Sequence, residues 1–383
     1  MNNPGLKDNS VFQKQVVPLE EVVWFQEGPG IRNYQYTAQG VKLLNVANLH
    51  DEMLDTSNTE RYISTAEAYG KYRHFLVDPG DLIIASSGIK VDYFDQKMGF
   101  AHEEQLPLCM NTSTIRFKVV DRSRTDIRYF MYFLKSNQFK KQLERHITGS
   151  AQLNFGPSHL KKMHMALPEI TEQKRVIKKL DSVHCHILQL NRVLDELNNL
   201  VKSRFVEMFG DPIENDSKLP KCKWEDVLTI VNGKNQKKVE CATGEYPICG
   251  SGGEMGRARQ YLTKGDSVII GRKGNINNPI LMREPFWNVD TAFGLEPNAE
   301  ILIVEYLYYY CEWFDFQKLN KAVTIPSLTK ADLLKIEMPL PPLALQQEFA
   351  AFVSQVDKLR FETQQQIEKL ETLKKSLMQE YFG

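Results

Sequence analysis

The sequence predicts an α+β protein with two pseudo-symmetric domains separated by two long antiparallel coiled-coil helices. Three observations predict this fold class. Residues 167–210 recur without a gap at 340–383, apolar residues follow helical spacing in both copies, and short β-branched runs broken by turn residues precede each copy. The chain therefore has the plan of a domain followed by a helix, written twice.

The repeat is defined by its two ends as well as by its apolar residues. Both copies begin with Leu-Pro, end with Phe-Gly and share polar identities such as Gln173 with Gln346 and Lys202 with Lys375. Shared coiled-coil periodicity is the alternative explanation, but it aligns only apolar positions. Duplication is favoured, and it predicts domains at 1–166 and 211–339, a central helix at 167–210 and a C-terminal helix at 340–383.

Both long helices are predicted from apolar residues spaced four and three apart, the seam of a coiled coil. Arg360, Thr363 and Lys374 interrupt the stripe in the second helix. A rod with an apolar seam needs an apolar partner, so the two helices are expected to pack on each other in antiparallel fashion. The predicted seam and partner-binding residues are Val176, Leu180, Val183, Ile187, Leu190, Leu194, Leu197, Val201, Val353, Val356, Ile367, Leu370 and Leu377.

Each globular domain begins with a turn-rich segment and continues through short apolar runs. Val41–Val46 and Val268–Ile270 are typical of strands because they are β-branched and flanked by Gly, Asn or Asp. Helices are predicted at Thr125–His146 and Ile301–Leu319, where apolar residues recur at helical spacing. Both domains are therefore α+β.

Composition limits the class of protein. The 383 residues carry 48 Lys and Arg against 48 Asp and Glu, so any surface for an anionic partner must come from local clustering. The six cysteines include no CxxC pair, which favours reduced thiols over a disulfide or zinc framework. Neither a leader nor an apolar run of membrane-spanning length is present, so we expect a cytoplasmic protein.

Several short motifs occur twice in the same order. Leu-Pro-x-Ile/Leu-x-x-Gln begins both long helices at 167–173 and 340–346, and a Gly-Asp pair opens an apolar strand at Gly80 and again at Gly265. With the stretch at 149–154, these motifs resemble the specificity subunit of type I restriction–modification enzymes. The resemblance covers essentially the whole chain.

The resemblance implies a function and a set of partners. Each variable domain would be a target-recognition domain that reads one half of a bipartite sequence in double-stranded DNA. The paired helices would set the spacer and dock two methyltransferase (modification) subunits, to which restriction (translocase–nuclease) subunits add. S-adenosylmethionine, ATP and Mg would belong to those partners, while this chain would bind no cofactor and catalyse nothing.

Candidate DNA contacts lie in loops at comparable places in both domains. Arg or Lys suits guanine and Asn or Gln suits adenine, because each pair of groups can form two parallel hydrogen bonds to the base edge. Any one loop residue taken alone is more often solvated or bound to phosphate. The candidates in the first domain are Arg32, Asn33, Tyr34, Gln35, Ser86, Ser87, Lys90, Gln152 and Asn154, and those in the second are Lys234, Asn235, Gln236, Lys237, Lys238, Arg272, Lys273, Asn275 and Asn277.

Other motifs do not support catalysis or metal binding. The Gly-rich segments at 27–30 and 250–253 lack the strand, helix or Lys-Ser/Thr context of a phosphate-binding loop. His184 and His186 lie two apart on a predicted helix and so point to different faces. The sequence also has no nucleophile elbow and no Asn-Pro-Pro-aromatic motif of adenine methyltransferases.

Two alternative functions stay open at this point. A scaffold with two protein-binding domains and no affinity for DNA would have the same repeat. The recognition half of a related methyltransferase–nuclease system of another type would also share these motifs.

Overall fold

The computed structural model describes residues 15–57, 59–88, 90–146, 154–322 and 324–383. The chain divides into two compact units. Unit 1 comprises the described residues up to Leu188 together with Glu368–Gly383, and unit 2 comprises the described residues of Gln189–Ile367. The boundary between the units falls inside both long helices. The predicted domain boundaries fall at the ends of those helices, because they follow the sequence repeat, and they stay a prediction.

Unit 1 is built from short strands and helices followed by the first part of a long helix. In chain order its elements are β1 (Gln15–Pro18), α1 (Leu19–Val22), β2 (Val23–Glu27), β3 (Tyr36–Thr37), β4 (Val41–Leu44), β5 (Leu49–His50), β6 (Met53–Leu54), β7 (Tyr62–Ile63), α2 (Thr65–Tyr69), β8 (Leu82–Ala85), β9 (Met98–Phe100), β10 (Leu108–Met110), β11 (Thr114–Val119), α3 (Ile127–Lys135), α4 (Asn137–His146), α5 (Pro157–Leu160), β12 (His164–Leu167) and α6 (Ile170–Phe209).

Unit 2 repeats much of this order. Its further elements are β13 (Lys221–Lys223), α7 (Trp224–Val227), β14 (Leu228–Asn232), β15 (Tyr246–Gly250), β16 (Gly253–Ala258), β17 (Ser267–Gly271), β18 (Ile280–Met282), β19 (Trp287–Asn288), β20 (Ala292–Pro297), α8 (Val304–Trp313), α9 (Lys330–Leu334), β21 (Glu337–Pro339) and α10 (Leu343–Phe382). The last residues of α10 belong to unit 1.

The two units share a sheet topology. In unit 1 an antiparallel sheet has the order β2-β11-β8-β9, and in unit 2 the corresponding order is β14-β20-β17-β18. Each unit also has a parallel strand pair in its second sheet, β4 with β10 and β15 with β19. The strand that precedes each long helix pairs with the first strand of the same unit. The predicted α+β class and duplicated plan are confirmed.

Within each unit the two long helices contribute segments that run antiparallel. In unit 1, Lys179 donates to the Tyr381 hydroxyl at 2.9 Å and His184 lies 3.2 Å from Lys374. In unit 2, the rings of Phe209 and Phe349 lie 5.4 Å apart and the Arg204 guanidinium lies 5.9 Å from the Phe352 ring. Every predicted seam residue is buried or half-buried, so the seam packs inside the units.

The glutamine shared by the two helix-start motifs has the same structural role in each unit. Gln173 is fully buried; its amide donates to the carbonyls of Pro168 at 2.8 Å and Arg124 at 2.7 Å, and its oxygen accepts from Asp126 N at 2.9 Å. Gln346 is also fully buried and makes the matching bonds to Pro341, Ile301 and Ile303. These bonds fix the start of each long helix to the backbone before α3 or α8.

The structure corrects two expectations about the helices. The helix predicted at Thr125–His146 is broken by Ser136, whose extended backbone ends α3 and whose Oγ accepts from Phe139 N at 3.2 Å. The helix predicted at Ile301–Leu319 is confirmed only over Val304–Trp313, followed by a short 3-10 helix at Phe316–Leu319. No helix of the described residues is long and apolar enough to cross a membrane.

Candidate nucleic-acid interface

In unit 1, two of the predicted loops meet at one edge of the larger sheet. The chain leaves β8 at Ser86, whose amide donates to Ser113 O at 2.8 Å just before β11 begins. Ser87 pairs as an antiparallel bridge with Asn154, and Ser86 O accepts from Phe155 N at 3.0 Å. These bonds bring residues from three distant parts of the chain to the same edge.

Unit 2 repeats this arrangement with different side chains. Arg272 N donates to Thr291 O at 2.8 Å just before β20, and Arg272 O accepts from Leu328 N at 2.9 Å. Lys273 pairs as an antiparallel bridge with Ser327. Backbone geometry is therefore conserved between the units, while Ser and Asn in unit 1 are replaced by Arg, Lys and Ser in unit 2.

The loop that follows β2 in unit 1 and the loop that follows β14 in unit 2 lie against the same edge of the larger sheet. Gly28 N donates to Thr114 O at 2.9 Å and Gly233 N donates to Ala292 O at 3.2 Å. A Cβ on Gly28 would collide with the carbonyl of Asn111, and one on Gly233 would collide with that of Val289. Glycine is therefore required at both positions to let the loop carrying residues 32–35 or 234–238 approach the edge.

The unit 1 candidates differ in how accessible they are. Arg32, Asn33, Lys90 and Asn154 are exposed, and Tyr34 is 86% exposed. Ser87 donates from Oγ to the Oγ of Ser113 at 2.5 Å and is half-buried. Gln152 lies outside the described residues, as does most of the 149–154 stretch, so its position stays a prediction.

Two unit 1 candidates have side chains that are buried or bonded within the protein. Ser86 is 1% exposed, and its hydroxyl faces the interior without a hydrogen-bond partner among the described residues. Gln35 donates from Nε2 to Glu67 at 3.0 Å and to the Tyr72 hydroxyl at 3.1 Å, and its oxygen caps Arg32 N. Burial keeps Ser86 from reaching a base, and the internal hydrogen bonds of Gln35 leave its amide unavailable to read one.

Most unit 2 candidates are exposed. Lys234, Asn235, Lys237, Lys238, Lys273 and Asn275 are exposed, whereas Gln236 is half-buried. Asn235 accepts from Lys237 N at 3.0 Å, which closes the turn that presents the two lysines. The backbone of Lys234 bonds to Asn288 O and to the Trp287 indole, so this loop is held on the sheet.

Arg272 and Asn277 have internal partners that the sequence did not indicate. Arg272 is half-buried, with its guanidinium 5.7 Å from the Phe293 ring and within 3.4 Å of Asp290 O. Asn277 donates to Asp315 at 2.8 Å and accepts from Phe316 N at 2.8 Å. The Asn277 hydrogen bond also holds the pKa of the Asp315 carboxyl below its ordinary value. Asn277 therefore has a structural role at the start of the 3-10 helix.

The edges contain residues that the sequence analysis did not single out. Ser113 and Ser327 lie at this edge because of strand register and backbone pairing; both belong to short stretches that recur in the repeat, but neither was named as a candidate. The repeat could have identified Ser327, which stands 173 residues after the candidate Asn154, whereas Ser113 required knowledge of which segments pair. Among the described residues, no group of three or more His, Cys, Asp and Glu side chains is placed to hold a metal ion.

The two edges differ in charge. In unit 2 the loops at 234–238 and 272–273 supply five cations within short stretches of chain. In unit 1 the corresponding positions supply hydroxyl and amide groups, with Arg32 and Lys90 as the cations. Contact of these residues with nucleic acid stays a prediction, but the geometry gives each unit a rigid edge from which several polar loops project.

Comparison with known proteins gives the family. A family model for the type I restriction modification DNA specificity domain matches residues 14–199 and 218–372, which together exceed half of the chain. The chain is similar to the putative type I restriction enzyme MjaX specificity subunit of Methanocaldococcus jannaschii, with 24% identity over 285 residues covering 65% of this chain and 66% of that protein.

A second relative from Methanocaldococcus jannaschii, the type I restriction enzyme MjaVIII specificity subunit, is 23% identical over 198 residues, covering 51% of this chain and 44% of that protein. The matches thus span just under two thirds of the first relative and less than half of the second.

Solved structures match over nearly the whole chain. The S subunit of a type I restriction–modification system from M. genitalium has a TM-score of 0.59 and 16% identity, covering 100% of this chain and 99% of that one. A chain from a structure describing complex assembly and conformational transition of the type I R-M system has the same TM-score and identity, covering 96% and 97%. At this identity the likeness to solved structures establishes the fold. The family model establishes the family: the chain belongs to the type I restriction modification DNA specificity domain family.

Proposed function

We propose that this chain is the sequence-specific DNA recognition subunit of a type I restriction–modification complex, and that each compact unit reads one half of a bipartite target. The observation that carries the proposal is the matched edge of the two sheets. Ser87 with Asn154 in unit 1 and Lys273 with Ser327 in unit 2 occupy the same backbone positions with different chemistry. A duplicated scaffold with different polar side chains at the same edge suits a protein that reads two different half-sequences.

The specificity family supplies a non-catalytic component, so the chemistry is assigned to partner subunits. Two methyltransferase subunits and the restriction subunits would bring S-adenosylmethionine, ATP and Mg. These partners and cofactors are expectations from the family, and the described residues of this chain are proposed only to select the DNA.

Exposed apolar residues on the long helices support two equivalent docking places for one kind of partner. In unit 1, Leu188 and Leu373 are 48% and 45% exposed, and in unit 2, Leu200 and Phe361 are 48% and 63% exposed. Leu188 matches Phe361 and Leu200 matches Leu373 in the sequence repeat. Because the seam itself is buried within the units, docking is assigned to these exposed positions. Native mass spectrometry should detect two methyltransferase subunits for each copy of this chain.

The decisive experiment exchanges one domain and maps methylation. Replacing residues 1–166 by the same domain of another specificity subunit should change one half of the methylated motif and leave the other half and the spacer unchanged. Sequencing of N6-methyladenine in cells that carry the complete system gives the readout. A motif that changes in both halves, or no motif that depends on this chain, contradicts the proposal.

A second experiment tests the helices as the element that sets the spacer. Inserting seven residues near Leu194 and seven near Ile367 keeps the apolar seam in phase and lengthens each helix by about 10 Å, or about three base pairs. The spacer in the methylated motif should lengthen while both half-motifs persist. An unchanged spacer in an active complex would exclude this role.

A scaffold without affinity for DNA is the alternative. It predicts that the purified complex assembles normally but protects no DNA sequence. A footprint that follows the methylated motif decides between the two functions.

A further inference from the structure

Unit 1 has a basic and aromatic surface outside the loops predicted to contact DNA. It consists of Tyr69, Lys71 and Arg73, on the end of α2 and the short 3-10 helix at Arg73–Phe75, with Tyr34 beside them. All four side chains are exposed, Tyr34 by 86% and Tyr69 by 50%. We refer to these four residues as the basic–aromatic patch.

The patch is joined to a predicted DNA-contacting loop by direct hydrogen bonds. Gln35 donates from Nε2 to Glu67 Oε1 at 3.0 Å and to the Tyr72 hydroxyl at 3.1 Å. Lys71 lies over the ring of Tyr72, with Nζ 4.9 Å from the ring centre. The loop that carries Arg32 to Gln35 and the segment that carries Lys71 and Arg73 therefore form one continuous surface.

Neither cation of the patch has an ion-pair partner in the described part of the chain, although the charge of Glu67 favours the protonated form of Lys71. Among the residues that the structure describes, no carboxylate lies within 4.0 Å of Lys71 or Arg73, whereas Arg128 and Lys135 of the same unit are ion-paired. Glu67, the acid of α2, is engaged by Gln35 and by the Ser64 hydroxyl at 3.2 Å. Unpaired, solvent-facing cations with neighbouring aromatic hydroxyls are the groups that contact phosphate.

The two units differ in the number of cations on their predicted DNA-contacting loops. Unit 2 has five cations on its predicted edge loops, while the matching loops of unit 1 present mainly Ser and Asn. In the described part of unit 2 the chain between β16 and β17 holds no helix, so α2 is particular to unit 1, although that stretch has its own exposed Arg259, Tyr261 and Lys264. The extra segment supplies cations that the unit 1 loops lack.

We infer that the basic–aromatic patch binds the phosphate backbone of the DNA half-site read by unit 1. Lys71 and Arg73 make the ionic contacts, and the hydroxyls of Tyr34 and Tyr69 donate hydrogen bonds to phosphate oxygens. The inference rests on the proposed function. It adds that the two units anchor the backbone with different elements: a helical segment in unit 1 and the 234–238 loop in unit 2.

The test compares the salt dependence of DNA binding for the full chain in its methyltransferase complex. Each phosphate contact contributes roughly 0.9 to the slope of log affinity against log salt, so Lys71→Ala with Arg73→Ala should lower the slope by about 1.8. Between 50 and 200 mM salt the doubly substituted complex should therefore lose about tenfold less affinity than the wild type does. Its preference for the methylated motif over other sequences should be unchanged.

The matched control removes two other exposed cations of unit 1. Arg122 and Arg124 are exposed in the turn after β11, away from the edge where β11 begins. Arg122→Ala with Arg124→Ala should leave the slope unchanged. Lys71→Arg with Arg73→Lys keeps the charges and should retain the wild-type slope, which separates loss of charge from a folding defect.

The outcomes distinguish this inference from the proposed function. If the wild-type complex does not bind its motif, the proposed function fails. If it binds and the Lys71→Ala, Arg73→Ala protein keeps the full slope, only the inference about the patch is overturned. If that protein no longer assembles with its methyltransferase, the patch is a protein-docking surface and the inference is also wrong.

Discussion

The two units differ in the side chains that hold their long helices. In unit 1 the junction is a half-buried ion network. Glu52 accepts from Lys135 at 2.8 Å and from Arg128 at 3.4 Å, and Asp181 of α6 accepts from Arg128 at 2.7 Å. His184 extends the network to Lys374 of α10. Acids and bases from four segments therefore meet where the domain of unit 1 contacts its helices.

In unit 2 an aromatic cluster joins the helices to α8, and its residues match Phe133, Val176, Met378 and Phe382 of the unit 1 core, not the residues of the ion network. Phe205 and Phe209 of α6 contact Phe349 of α10, each with ring centres 5.4 Å apart, and both also contact Tyr306 of α8. Matching positions of the repeat lie 173 residues apart. Lys135 of unit 1 matches Tyr308 of unit 2, and Lys374 of unit 1 matches Val201 of unit 2. The interruption of the apolar stripe at Lys374 thus has a physical reason: its amine lies in the ion network of unit 1.

The comparison shows that the same backbone arrangement tolerates either ion pairs or apolar packing, provided that the buried polar groups have hydrogen-bond or ion-pair partners. Apolar burial stabilises by removing surface from water, whereas buried ions offset their desolvation only through close partners. Glu52 also adopts a left-handed backbone conformation, with φ of 70°, which is costly for a residue other than glycine. The network therefore fixes a strained residue that an aromatic junction does not need.

The largest effect is expected from the aromatic junction. Phe349→Ala should destabilise unit 2 by about 3–5 kcal/mol, because it removes a fully buried ring and leaves a cavity. Hydrogen exchange of α8 measured by mass spectrometry reports on unit 2 directly. Leu359→Ala, on the exposed face of the same helix, is the control and should cost less than about 0.5 kcal/mol. Equal effects of the two changes would refute the aromatic junction.

The ion network should be nearly as sensitive to loss of its central acid. Glu52→Gln keeps the shape but leaves Lys135 and Arg128 with less compensation, and should destabilise unit 1 by about 2–3 kcal/mol. Denaturant unfolding followed by hydrogen exchange of α3 is the measurement. Glu60→Gln, at an exposed position of the same unit, should have little effect. If Glu52→Gln is as stable as the wild type, the network does not hold the junction.

The buried glutamines should behave alike in spite of the different junctions. Gln173→Ala and Gln346→Ala each leave a backbone amide and carbonyl groups without partners, which should cost about 1–3 kcal/mol in the unit concerned. Thermal unfolding with unit-specific hydrogen exchange reads out both proteins. A loss in one unit and none in the other would mean that the motif has only one structural role.

The smallest effect is a dependence on pH confined to unit 1. Burial, and then Lys374, lowers the pKa of His184 below its ordinary value of 6.5, with Glu52, Asp51 and Lys135 also facing the ring. The unfolded chain therefore binds more protons than the folded chain just below pH 6.5, so stability falls as the pH falls through that region.

Hydrogen exchange of the first turns of α6 at pH 7 and pH 5.5 measures this effect. His184→Gln should reduce the change in unit 1, whereas His186→Gln, at an exposed position of the same helix, should not. A pH response of unit 1 that is the same in all three proteins would assign it to other groups, such as Asp51, whose pKa Lys135 lowers against the opposing effect of burial.

Much of the architecture followed from local patterns. Helical spacing of apolar residues placed the two long helices, and Gly210 ends α6 with φ of 75°, a conformation that glycine adopts without strain. Strand predictions such as Val268–Ile270 lie within β17. The break at Ser136 was missed because the apolar period continues across it while the hydroxyl competes for backbone bonds.

The candidate site was harder to predict than the fold. Ser87 and Lys273 occupy matching backbone positions, yet the first is half-buried and bonded to Ser113 while the second is exposed. Asn277 was expected to face a partner and instead caps a 3-10 helix. The basic–aromatic patch went unnoticed, because its relation to the 32–35 loop exists only through the hydrogen bonds of Gln35.

The sequence by itself determined the duplicated plan, the α+β class, the long helices and the glycines that end or turn the chain, since these depend on residue spacing and backbone preference along a few turns. Only the tertiary structure decided which loops share an edge, which polar side chains are used internally, and why charge replaces apolar packing at Lys374. Those features depend on strand register between segments far apart in the chain. Local periodicity encodes which residues are buried, but the identity of the neighbours is fixed when the sheets and helices pack.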